Sequence, residues 1–166
     1  MAIPYEEFVG NADPFAVLET TASRIAEMTA GLSPEQIAAA PAPGKWSIHQ
    51  IVAHLADAEL VGQGRIRFML FEDNPPLQSW DQDRWMQGWN REGESWEASL
   101  DRFRVLREAT LRLLRAIPES DRHRTGVHSE RGLQTAWDQR ILHAGHDINH
   151  LRQIEAAAGR GRNAGA

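Results

Sequence analysis

Three of the seven histidines, His143, His146 and His150, fall within eight residues near the end of the last long apolar-periodic segment. On a helix, 3.6 residues per turn places His146 and His150 at i,i+4, with His143 one turn earlier on the same side. Cβ atoms four residues apart lie roughly 5–6 Å from each other, so two imidazole nitrogens can each sit about 2.0–2.1 Å from one ion. One helix seldom closes a metal site, and a third ligand must come from elsewhere. An isolated H-x-x-x-H without Glu at its second position also suits a solvated helix face, so the rest of the chain has to decide.

Composition narrows the chemistry. At 166 residues the chain is long enough for one core without staples, which makes a metal functional rather than structural. There is no cysteine, so disulfides, cysteine nucleophiles and thiolate ligands are excluded, and a site must use His, carboxylates and water. A net charge of −5, with bases and acids intermixed, argues against nucleic-acid binding. No run of about 18 apolar residues suggests a membrane span, and the N-terminus has neither a basic nor an apolar targeting segment. A soluble, cytoplasmic protein is expected.

The elements that must carry these residues follow from start and stop signals. Asp13-Pro14 opens a helix with Phe15, Leu18, Ala22, Ile25 and Met28 on one face, ending at Gly31. Ser33-Pro-Glu-Gln36 and Ser47-Ile-His-Gln50 are capping boxes. The first starts a short helix. The second starts a long one whose stripe of Ile48, Ile51, Leu55, Ala58, Gly62, Ile66 and Met69 reaches about Phe71, and Gly62 and Gly64 suggest a close crossing or a bend. Residues 72–94 lose periodicity but hold Trp80, Trp85 and Trp89, the pattern of an ordered cover over a site. Ser95 caps a third long helix ending at Pro118, residues 119–134 leave room for a short hairpin, and Thr135-x-x-Asp138 starts the histidine helix, ending at Gly159. The expectation is an all-α four-helix bundle with long crossover loops, one domain over 1–159 and a flexible tail over 160–166.

Within this bundle His54 lies on the flank of the second long helix's buried stripe, as His146 and His150 do beside Ile141, Ala144, Ile148 and Leu151. Two such flanks can converge, giving a three-histidine site with open positions, the pattern of catalytic rather than structural zinc-type centres. Asp57 and Glu59 are placed to orient His54 or act as a base. Asp81, Asp83 and Trp85 are candidate pocket wall, and Gln153 shares the histidine face. His49, His123 and His128 are read as surface histidines, and Trp96 and Trp137 as core. No Glu-x-x-His pair, H-E-x-x-H, glycine-rich phosphate loop or G-x-S-x-G occurs.

Pro43-Gly-Lys-Trp-Ser-Ile-His-Gln-Ile-Val-Ala-His54-Leu-Ala-Asp-Ala-Glu59 and His146-Asp-Ile-Asn-His150-Leu-Arg-Gln153-Ile154 resemble the two signature segments of the DinB-like superfamily. The Pro-Pro-Leu…Asp81-Gln-Asp83-Arg-Trp85 stretch is similar to the segment between them in its YfiT-like branch, whose members are named as metal-dependent hydrolases. The resemblance spans about residues 40–156. It implies a bundle, often a homodimer, with nickel, zinc or another divalent ion on His54, His146 and His150, whereas His143 has no counterpart among the ligands. Relatives include transferases and isomerases that use a low-molecular-weight thiol as cosubstrate, and the missing cysteine suits these and hydrolases equally.

Three readings of function follow. In one, the ion activates water or a thiol for hydrolysis or thiol transfer on a small molecule. In a second, the protein binds metal or a small ligand without catalysis, as in a stress response. A third makes the helices an interaction surface and the histidines incidental.

Overall fold

The computed structural model describes residues 3–164, with the side chains at 89–92 and 162–164 outside that description. The helices are α1 (Glu6–Val9), α2 (Pro14–Thr29), α3 (Pro34–Ala38), α4 (Ile48–Phe71), α5 (Gln82–Glu92), α6 (Trp96–Arg115) and α7 (Gln139–Ala164). The long ones, α2, α4, α6 and α7, form a four-helix bundle in which α4 packs most closely on α6 and α2 on α7.

Their starts are chemically specified. The Asp13 side chain accepts from the Phe15 N–H, Ser33 and Ser47 each close a reciprocal capping box with Gln36 and Gln50, and Ser95 accepts from Ala98. Each cap satisfies donors that the first helical turn cannot pair itself.

Apolar stripes from the four helices form two core clusters. One gathers Ile25, Val52, Leu55, Phe103 and Ile154, the other Leu18, Ile66, Met69, Leu114 and Ala144. Between them, each long helix contributes buried polar groups: Thr21 from α2, Glu59 from α4, Arg107 from α6, and His143 and Asp147 from α7. Arg107 donates to both Asp147 oxygens at 2.5 and 3.0 Å, to Glu59 Oε1 at 2.8 Å and to the Leu18 carbonyl at 3.1 Å. Thr21 Oγ1 donates to Asp147 at 2.6 Å, and His143 Nδ1 donates to Glu59 Oε1 at 2.9 Å. Burial opposes charge on both sides of this cluster, but the opposite charges outweigh it. Asp147 and Glu59 raise the Arg107 pKa, and Arg107 and His143 hold the Glu59 carboxyl well below the usual range.

The crossovers differ in part from the sequence expectation. Residues 72–94 include a helix: Asp81 caps α5 by accepting from the Asp83 and Arg84 N–H groups. Only Met86 is buried among the described side chains of α5, so the helix has no apolar stripe to read. A small sheet joins β1 (Pro76–Leu77), parallel, to β2 (Thr125–His128), which forms an antiparallel hairpin with β3 (Gly132–Thr135). The hairpin falls where the sequence left room for one. The last helix passes Gly159 to reach Ala164, and Gln36 Nε2 donates to the Gly161 carbonyl at 2.8 Å, tying α3 to this extension. Among the described residues, no helix is long and apolar enough to cross a membrane.

Candidate metal centre

His54 reaches the centre from α4, and His146 and His150 reach it from successive turns of α7. The Nε2 atom of His146 stands 3.1 Å from Nε2 of His54 and 3.1 Å from Nε2 of His150. One ligand atom from each of the three lies within 4.8 Å of the others. Nitrogens bound tetrahedrally at about 2.0–2.1 Å would stand about 3.3 Å apart, so the triangle has the dimensions of a shared coordination site.

The electrostatics agree with this donor set. Burial, helped by His150, pulls the His54 pKa down to about 3. Burial and then the neighbouring His150, His54 and His143 hold His146 well below its ordinary value, and burial lowers His150 despite its bond to Gln153. Neutral imidazoles are what a cation needs. Gln153 Oε1 stands 3.1 Å from His150 Nδ1 and can only accept, so Nδ1 carries the proton and Nε2 presents its lone pair.

Aromatic rings wall the cluster. Trp80 stacks on His54 with centroids 5.5 Å apart, Trp46 lies 4.9 Å from the same ring, and Tyr5 meets His146 edge-on at 5.5 Å. Tyr5 has a left-handed backbone (φ 64), and a Cβ at Gly145 would collide with its carbonyl, so glycine there lets α1 close on α7. His54 and His146 border a cavity of about 410 Å3, and His150 borders a second of about 570 Å3, with Tyr5 and Gln82 common to both.

The other sequence candidates sort differently. Asp57 pairs with Arg102 at 2.7 Å and Glu59 with Arg107, so neither carboxylate orients His54. Trp85 touches Trp80 with centroids 4.7 Å apart and lies outside the walls of both cavities, so Trp80 is the cover residue. Trp89 lies outside the described side chains. Asp81 borders the histidine cavity while capping α5, and Asp83 borders the second. His123 is exposed as expected, but His128 is buried and His49 half-buried, 3.1 Å from Ser99 Oγ. Trp96 and Trp137 are partly buried against the two core clusters. His143 turns to Glu59, its ring filling the space where a Cβ on Gly62 would lie, and it borders the histidine cavity. The close crossing suggested by Gly62 is this contact. Sequence reasoning missed Tyr5, because the first twelve residues carry no strong helical periodicity, and passed over Trp46, although it sits one residue before the Ser47 cap.

The structure is thus a helical bundle with a three-histidine cluster, His54 and His150 buried and His146 half-buried, beside a cavity, and comparison with known proteins gives its family. Residues 18–154 match the DinB superfamily. A protein of Oceanobacillus iheyensis is 28% identical over 123 residues, covering 74% of this chain and 71% of its own, and one of Halalkalibacterium halodurans is 24% identical over 140 residues, covering 84% and 81%. Both bear the name "putative metal-dependent hydrolase". The solved structure of YfiT from Bacillus subtilis, described as a four-helix bundle of unusual topology, superposes with a TM-score of 0.80 at 22% identity, covering 89% of this chain and 85% of its own. The chain belongs to the DinB superfamily.

Proposed function

We propose that this chain is a divalent-metal-dependent enzyme acting on a small molecule, with His54, His146 and His150 as ligands through Nε2. The convergence of three imidazoles, with the Nε2 atoms of His54 and His150 each 3.1 Å from that of His146, is the observation that carries this reading. Imidazole donors suit nickel or zinc among the available divalent ions. The ion would supply Lewis acidity, lowering the pKa of a water or thiol nucleophile toward about 7.

The chain's own residues supply the rest. Glu59, held ionised by Arg107, accepts from His143 Nδ1, which leaves Nε2 as the ring's other hydrogen-bonding atom. Because that ring borders the cavity, His143 is the group placed to take a proton from a nucleophile there. Trp46, Trp80 and Tyr5 limit water around the ligands, and Gln153 fixes the His150 tautomer. Exposed Leu60, Phe68 and Phe71 along α4 support pairing of two copies into a homodimer, which sedimentation would read directly.

The test is turnover. Chelator-treated protein, alone and reloaded with nickel or zinc, is incubated with ester and amide panels, and separately with low-molecular-weight thiols plus electrophiles. Metal-dependent turnover in the first set assigns hydrolysis, and in the second thiol transfer. Metal binding without turnover in either assigns the non-catalytic binding role and overturns the enzyme reading.

A further inference from the structure

The cavity bordered by His54 and His146 also gathers hydrogen-bond donors that have nothing to bind. Arg65 comes from α4, Arg131 from the β2–β3 turn and Gln139 from the first turn of α7, and all three border this cavity. Arg65 and Gln139 are 8% and 2% exposed. Arg65 Nε, Arg131 Nε and Gln139 Nε2 are buried and have no hydrogen-bond partner among the described residues.

The two guanidiniums are also only partly compensated, by the exposed Glu130 carboxylate. Arg65 donates to the Gln78 carbonyl and Arg131 Nη2 stands 2.7 Å from His128 Nε2, but among the described residues neither makes an ion pair, unlike Arg102 and Arg107. Burial and then the charge of Arg131 draw Arg65 down to about 10, and burial with both arginines brings His128 down to about 4, so His128 adds no third charge. Asp81 and Glu130 border the cavity too, but both are exposed. Guanidinium and amide nitrogens can only donate, so their missing partner is an acceptor, and two neighbouring cations select an anionic one.

Position along the helices sets the reach. Arg65 lies eleven residues after His54 on α4, about 16 Å along the axis, and Gln139 lies seven before His146 on α7, about 10 Å. We infer that Arg65, Arg131 and Gln139 form the subsite for the oxyanion of a small molecule, a carboxylate or phosphate ester, whose other end extends toward His54 and His146. That the far end is the reacting end rests on the proposed metal centre; the anion subsite does not.

Full-length protein stripped of metal by chelator is titrated with inorganic phosphate, acetate and neutral acetamide, followed by calorimetry and tryptophan fluorescence. Saturable binding of phosphate or acetate, with none of acetamide, is expected, and the tighter anion identifies the class. Arg131→Gln weakens this binding at least tenfold, and His54→Ala leaves it unchanged. Should Arg131→Gln fail to fold, Gln139→Leu probes the same cluster and shows the same loss. Absence of saturable anion binding, equal binding in the folded variant, or its loss in His54→Ala would overturn the subsite. Because the metal is removed throughout, none of these outcomes depends on whether the histidines hold an ion.

Discussion

The bundle contains two clusters of histidines and charged groups, and they differ in how their polar atoms are matched. In the layer between the core clusters, Arg107 faces Glu59 and Asp147, and Thr21 and His143 complete the bonding. Positive meets negative, and donors meet acceptors. At the histidine centre, the Nε2 atoms of His54 and His150 each face that of His146, like group against like group, and His54 Nδ1 has no partner among the described residues. Matching of the first kind holds helices together. Mismatch of the second kind persists in a folded protein when the groups serve a ligand, so satisfaction of polar atoms, rather than residue type, separates structure from function here.

Substitutions can break that distinction or sharpen it. Arg107→Met strands two buried carboxylates and is expected to cost about 3–5 kcal/mol of unfolding free energy in a denaturant titration. His54→Phe removes a poorly matched polar ring from an aromatic pocket, and the chelator-treated variant should stay within about 1 kcal/mol of the parent. Equal losses from the two would erase the contrast. Acid should act through the matched layer. The Glu59 pKa is lowered from 4.5, so the stability it contributes is present above about pH 4.5 and is lost as pH falls below that value. The urea midpoint should therefore drop between pH 5 and 3, less steeply in Glu59→Gln, and an identical slope in the variant would count against this source.

Smaller effects refine the boundary between the clusters. Gly62→Ala drives a methyl into the His143 ring and should cost about 1–3 kcal/mol, read by thermal melting. Gln153→Ala frees the His150 ring, so metal affinity should fall about 10–100-fold by competition with a chromophoric chelator while metal-free stability is retained. Trp85→Ala, half-exposed and one ring removed from His54, should change stability by no more than about 0.5 kcal/mol, whereas Trp80→Ala exposes the His54 ring and weakens metal retention.

The legible parts of this molecule are those governed by local rules. Caps at Asp13, Ser47 and Ser95, the Thr135-x-x-Asp138 start signal and the apolar stripes marked the four long helices, and the flanking positions of His54, His146 and His150 allowed their convergence to be anticipated. What escaped depends on partners distant in sequence. Glu59 and Asp57 read as candidates for His54 because they follow it closely, but Arg107 and Arg102, more than forty residues away, claim them. Helix α5 escaped because its described face buries little, Trp80 because stacking on His54 needs the α4–α5 crossover to fold back, and His128 because its burial comes from the sheet. The donor cluster around Arg65 has no sequence signature, since an unpaired nitrogen is visible only once its surroundings are known.

The most direct test of the central claim is an element-resolved metal assay on untagged protein, wild type beside His54→Ala. About one nickel or zinc ion per chain in the wild type, lost in the folded variant, is the predicted result for a three-histidine centre. Full retention of the ion in His54→Ala, or a metal-free wild type that takes up neither ion on reloading, would contradict it.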